Sequence, residues 1–264
     1  MRVAPVAEQA KILYAEGQEN NLDNKAMQAR WDRWEKCSLC EQKYHGVVRC
    51  ALGWACWKTY VGRPETDWPR PMAMTVLGNG LSDARHHEDA LSVREAELSM
   101  RRRFGAPEEI MLNVQGNLAA TYQALGRYEQ ALQMKRAVYS GHLRLSGEEH
   151  RSTIIAANNY AASLNQLHRF EEAKALLRKT IPMAQRALGE SHGLTLRMRK
   201  TYAEAIYMDP DATLDDLHEA VAMLEETERT ARRVLGGAHP FVLALEGSMR
   251  LSRAALRARE ASNA

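Results

Sequence analysis

The sequence is short of aromatic side chains, short of excess charge, and without a long apolar run. Phe, Trp and Tyr together make up 6% of the 264 residues, while Ala, Leu, Arg and Glu abound. Strands draw on aromatic and β-branched residues, so this balance favours helix over sheet. The 36 basic and 33 acidic residues leave a formal charge of +3, which gives no electrostatic argument for a nucleic-acid or membrane partner. No apolar run approaches the roughly 18 residues of a membrane span. The amino end, Met1 to Glu8, lacks the apolar core of a secretory signal. All four cysteines fall between Cys37 and Cys56, unlike an extracellular disulfide framework, so a reducing, cytoplasmic setting is expected.

Recognisable catalytic constellations are also missing. Gly78-Asn-Gly80 follows no strand and precedes no Gly-Lys-Ser/Thr, so it is not a phosphate loop. No Ser-His-Asp order or paired carboxylate has supporting context, and no catalytic residue is assigned; the chain is not expected to be an enzyme. What remains is a composition of 45% hydrophobic and 26% charged residues, enough for a packed core.

The dominant feature is an internal repeat. Asn117-Leu-Ala-Ala-Thr-Tyr-Gln-Ala-Leu-Gly-Arg-Tyr-Glu-Gln-Ala131 returns as Asn159-Tyr-Ala-Ala-Ser-Leu-Asn-Gln-Leu-His-Arg-Phe-Glu-Glu-Ala173. Gly147-Glu-Glu-His150 returns as Gly189-Glu-Ser-His192, and all four anchors shift by 42 positions. A period of this size belongs to stacked helical hairpins. Leu118, Ala119, Tyr122 and Leu125 lie at helical spacing on one face, Gly126-Arg127 breaks the helix, and Tyr128, Ala131, Leu132 and Ala137 give a second apolar face. The alanines let paired helices approach closely.

Asn-Leu-Ala-x-x-Tyr-x-x-Leu-Gly-Arg-Tyr-Glu-x-Ala followed by Leu-Gly-x-x-His resembles the tetratricopeptide repeat. The 42-residue spacing is similar to the repeat of kinesin light chains. The resemblance implies an all-α, right-handed superhelical solenoid of about five helix-turn-helix hairpins with a carboxy-terminal capping helix. It covers residues 72–258 well and 24–62 weakly.

Taken in order, residues 6–19 read as a first helix, and a second is expected from Asp23 or Asn24 toward Cys40, with Met27, Trp31 and Trp34 on one face. Val47 to Tyr60 reads as a third. The expected division is a divergent helical region at 1–62, a proline-rich linker at 63–71 and a repeat array at 72–260. Leu77 and Ala90 precede Leu118 and Ala131 by 41, marking another copy weakened by helical glycines at ~1 kcal/mol each. After the clear copies, Gly189 to Gly236 spans 47 positions; the stretch from Met208 to Asp216 holds the extra residues, and with its Asp-Pro-Asp turn it should lengthen the loop and the start of the next helix. His150, His192 and His239 read as linker residues closing the turn between hairpins rather than as a metal series.

The segment from Cys37 to Cys50 has the spacing C-x2-C-x4-H-x4-C, which resembles the ligand spacing of the zinc knuckle, a nucleic-acid-binding module. Glu41 and Tyr44 stand where the knuckle has glycines, and Ser38 where it has an aromatic. Cys37, Cys40, His45 and Cys50 are therefore candidate ligands of a structural zinc, either as a knuckle or bridging two helices. The alternative is that they are small buried residues in a tryptophan-rich interface. Beyond such a zinc, no cofactor is expected.

The tetratricopeptide resemblance further implies a concave groove lined by the first helix of each hairpin. Its positions fall on Asn113, Asn117 and Gln123, on Asn158, Asn159 and Asn165, and on Arg197, Lys200 and Thr201. Amides bond both N–H and C=O of an extended peptide whatever its sequence, and the two cations favour an acidic motif. The expected function is a scaffold or adaptor holding a peptide or helix of a partner protein. The alternative is a zinc-containing RNA-binding protein acting through the Cys/His segment.

Overall fold

A computed structural model describes residues 3–263. Most of them are helical: α1 (Val3–Glu19), α2 (Asn24–Trp31) with a 3-10 turn at Asp32–Trp34, α3 (Gly46–Tyr60), α4 (Pro69–Asp83), α5 (His87–Arg103), α6 (Glu108–Ala124), α7 (Tyr128–Ser146), α8 (Arg151–Gln166), α9 (Phe170–Leu188), α10 (Gly193–Tyr207), α11 (Leu214–Leu235) and α12 (Pro240–Asn263). From α3 to α6, and again from α7 to α12, each helix packs on the next, as stacked helical hairpins do. Among the described residues the one extended pairing is a single antiparallel bridge between Lys36 and Lys43. The helices fall into two compact units that part between Arg127 and Tyr128.

In the amino-terminal unit, α1, α2 and α3 close around aromatic rings. Trp31 and Trp34 are fully buried, and Tyr14 meets Trp31 edge to face at 5.2 Å. Trp68 sits 4.9 Å from Trp31, likewise edge to face. The second helix ends earlier than expected. The backbone N–H of Lys36 turns back to the Asp32 carbonyl, and residues 35–44 then form a tight hairpin instead of continuing toward Cys40. Pro69 and Pro71 lie in the first turn of α4, where a missing N–H costs nothing.

The helical glycines have a packing reason. A Cβ on Gly80 would lie 2.7 Å from the Arg49 carbonyl oxygen, and one on Gly53 would lie 2.9 Å from Leu77 Cα. Glycine at both points lets α3 and α4 cross backbone to backbone, which offsets its poor helix propensity. Deeper in, the Arg94 guanidinium donates to Asn79 Oδ1 at 3.2 Å and to the Asn117 carbonyl at 2.6 Å, tying α5 to α4 and α6. Burial pushes the Arg94 guanidinium down to about 10.

The carboxy-terminal unit keeps its core between α8, α9, α10, α11 and α12, around Ile154, Leu177, Leu196, Met198, Leu224 and Leu245. The recurring histidines cap helices. Nδ1 of His150 accepts from the Ser152 N–H at 3.3 Å, that of His192 from Leu194 at 3.2 Å, and that of His239 from Phe241 at 3.1 Å. Thr153 and Thr195 hydroxyls donate to the carbonyls of Gly147 and Gly189, whose positive φ turns the chain. The insertion behaves as the sequence suggests: residues 208–213 form the loop, and α11 opens with a Thr213/Asp216 capping box.

Candidate functional site: the first-helix faces and the cysteine hairpin

The groove residues divide between the two units. In the amino-terminal unit α6 carries Asn113, Asn117 and Gln123. Asn113 is exposed, while Asn117 and Gln123 are half-buried. The backbone of α6 is held at Asn117, whose carbonyl accepts from Arg94 and from the Thr121 hydroxyl.

In the carboxy-terminal unit α8 and α10 lie side by side. Asn159 is exposed and Asn158 half-buried on α8. The Thr201 hydroxyl on α10 lies 3.3 Å from Asn158 Oδ1, so the amide edge of one helix meets the polar edge of the next. Arg197 stands exposed one turn before Thr201 and makes no ion pair among the described residues. Lys200 is half-buried and paired with Glu204.

Asn165 does not belong with these. It is 6% exposed, and its Nδ2 donates to the Thr201 carbonyl at 2.8 Å. Its amide ties α8 to α10 from within, so it is a packing residue and not part of an accessible face.

Glu204 was not among the expected positions. It accepts from Lys200 and lies 3.4 Å from Ser248 Oγ on α12, joining α10 and α12 at this face. The spacing of four from Lys200 is the signal that could have found it.

The four expected zinc ligands do not converge. Cys50 points from α3 toward Leu77, Leu81 and Ala90 on the neighbouring helices, and burial raises its thiol. His45 is largely exposed at the start of α3, with Nδ1 4.0 Å from an Asp83 carboxylate oxygen. Among the described residues no group of three or more His, Cys, Asp or Glu side chains is placed to hold a metal ion. The physical reason is the direction of α3: its first turn presents Cys50 to α4 rather than back to the hairpin. Cys56 is fully buried, and burial pushes its thiol well up.

Cys37 and Cys40 share one hairpin. The hairpin that holds them is closed by Cys37 N–H to Gln42 O at 2.9 Å and Tyr44 N–H to Glu35 O at 2.9 Å. Arg33 grips Glu41 with two bonds of 2.7 and 3.0 Å, and Glu41 adopts a left-handed φ of 56° to complete the turn. The Cys37 sulfur accepts the Leu39 N–H at 3.4 Å. The Cys40 N–H, the Leu39 N–H, the Cys40 thiol and the Tyr44 hydroxyl together hold the Cys37 thiol below its usual value.

Residues 108–186 match the family model for the tetratricopeptide repeat. No curated protein matches. Among solved structures, BtubC (BKLC) from P. vanneervenii is 16% identical, covers 80% of this chain and 88% of its own, and has a TM-score of 0.61. A Podospora anserina putative kinesin light chain with nearly identical TPR-like repeats is 18% identical, with 89% and 98% covered and a TM-score of 0.55. A Rap protein complexed with competence and sporulation factor is 13% identical, with 81% and 58% covered and a TM-score of 0.52. The fold is that of a helical-repeat solenoid. Residues 108–186 are thus similar to tetratricopeptide repeats, and the fold is shared with a putative kinesin light chain.

No helix among the described residues is long and apolar enough to cross a membrane.

Proposed function

We propose that this chain is a protein-interaction scaffold. In this reading the face formed by α8 and α10 in the carboxy-terminal unit takes an extended segment of a partner protein. The observation that carries it is the pairing of an exposed Asn159 and half-buried Asn158 with an exposed, unpaired Arg197 on the adjacent helix. Asparagine is a poor helix former, and two in succession at mid-helix cost stability unless their amides serve a ligand. An amide supplies both a donor and an acceptor to a peptide backbone, and a guanidinium can grip a carboxylate with two parallel bonds.

The preference for an acidic segment rests on Arg197 alone. Lys200 is already neutralised by Glu204, so drawing it into a complex would require breaking that pair. A peptide ligand also fits the Rap protein neighbour, whose structure is a complex with competence and sporulation factor.

The test is a peptide array probed with wild-type protein and with an Asn159→Ala/Arg197→Ala double variant. Loss of the bound peptides, acidic ones first, is the expected result. A double variant that keeps every peptide of the wild type sinks the assignment.

A further inference from the structure

Helix α12 has two apolar faces. One, with Val242 and Leu245, is buried against α10 and α11. The other looks outward. Leu243, Gly247, Leu251, Ala254 and Ala258 recur at helical spacing down one stripe. Leu243 is 54% exposed and Leu251 60%. Alanines alone would express no more than helix propensity. Two leucines in the same stripe put an apolar strip on the side of a helix where charge normally gathers.

The stripe is lopsided along its length. The leucines occupy its first half and its centre, while Ala254 and Ala258 make its second half. There a cavity of about 260 Å³ opens beside the helix, lined by Met208, Pro210, Leu217, Ala255 and Ala258. The charged edge next to the stripe is lopsided too. It runs from Glu246 through Arg250 and Arg253 to Arg257, about three turns on. Glu246 accepts from Arg232 at 2.8 Å, which leaves its second oxygen available. Arg257 makes no ion pair among the described residues. A strip that is bulky and acidic toward one end, small and basic toward the other, is complementary to itself when turned end for end.

We infer that α12 pairs with α12 of a second copy of this chain, antiparallel, about a two-fold axis at Leu251 and Ser252. In that register Glu246 of each copy meets Arg257 of the other, so the charge pair is made twice. The leucine half of each helix lies over the alanine half of the other, beside the cavity. Leu251 meets its own counterpart at the axis. Arg250 faces Arg253 of the other copy, but Glu225 already holds the Arg253 guanidinium at 2.6 Å. The contact uses the same patch on both copies, so it closes at two and does not grow into a filament. A single helix pair is a small interface, which sets the expected affinity in the micromolar range.

The experiment uses the full chain in sedimentation velocity, at concentrations bracketing the micromolar, with circular dichroism confirming that each variant is folded. Wild type should pass from one copy to two as concentration rises. Leu251→Glu places two carboxylates at the axis and should weaken the dimer by roughly tenfold or more. Arg257→Glu alone and Glu246→Arg alone should each dimerise less than wild type, because like charges then meet. Mixed in equal amounts, these two variants should pair as strongly as wild type, since every charge across the axis is again opposite. The inference is overturned if wild type stays single at every concentration, or if Leu251→Glu dimerises as wild type does. It is also overturned if the mixture pairs no better than either variant alone.

Discussion

The ammonium of Lys174 lies 2.9 Å from the carboxylate of Asp209, and both side chains are less than a tenth exposed. Lys174 is on α9, and Asp209 opens the loop that carries the insertion. The extra residues of this repeat copy are thus pinned to the hairpin before it. The Asp211 N–H adds a bond to Asp209 Oδ1 at 3.0 Å.

Removing one partner of this pair should cost far more than a surface ion pair would. Lys174→Met leaves a buried carboxylate uncompensated, with an expected loss of about 3 kcal/mol in chemical denaturation. The pH dependence has a definite sign. Burial works to raise the Asp209 carboxyl, but Lys174 and the Asp211 amide outweigh it and hold the group below its usual range. A depressed carboxylate contributes stability above its unfolded value and loses it as pH falls through the folded one. Lys174, raised by Asp209 and Glu171 against the opposing effect of burial, loses its contribution only as pH rises through its elevated folded value. Asp209→Asn should therefore flatten the acid limb of a stability-versus-pH curve; an unchanged acid limb would refute the role given to the pair.

The histidine caps predict a repeated, modest penalty. His192→Ala should destabilise by ~1 kcal/mol, in the range for losing an N-cap acceptor, and His150→Ala by a similar amount. His192→Asn, which restores a cap acceptor, should recover most of the loss. Thermal melts of the three variants decide the matter, since a linker histidine without a capping bond would show no recovery.

Glycine substitutions should differ in sign. Gly80→Ala must push a methyl group into the Arg49 backbone, so it should destabilise by roughly 1–3 kcal/mol despite alanine's better propensity. Gly247→Ala on α12 meets only the far end of Arg250 at 3.9 Å, so it should stabilise by about 0.5–1 kcal/mol. Denaturation midpoints that move together for both would contradict the close crossing of α3 and α4.

Asn165 and Arg197 should separate stability from binding. Asn165→Ala removes a buried bond to the Thr201 carbonyl and should cost about 1–3 kcal/mol of stability. Arg197→Ala removes an exposed, unpaired side chain and should leave the melting temperature within the noise while weakening capture of acidic peptides. A large melting shift for Arg197→Ala would mean that it has a structural partner.

The repeat was legible in the sequence because its marks are local. Leu-Gly-x-x-His carries its own turn and cap, so Gly147, Gly189 and Gly236 announce the hairpin boundaries without knowledge of the packing. The Asp209 insertion was legible for the same reason. The end of α2 was not. Nothing between Glu35 and Tyr44 is glycine or proline, and the hairpin there depends on Arg33 reaching Glu41 and on Glu41 taking a left-handed conformation. Spacing alone put Cys50 with Cys37 and Cys40, but the rotation of α3 against α4 turned it away. Asn165 shows the limit of carrying positions over from a family: a groove position and a buried tie can sit six residues apart on one helix.

The contact at Gly53 and Gly80 has one more consequence. Where two helices touch main chain to main chain, neither can slide or roll without collision, so α3 and α4 move as one stiff bar. The cysteine turn springs from the start of that bar, where the Gly46 N–H is bonded to Asp83 of α4. The turn that carries Cys37 and Cys40 is thereby anchored to a joint that resists sliding.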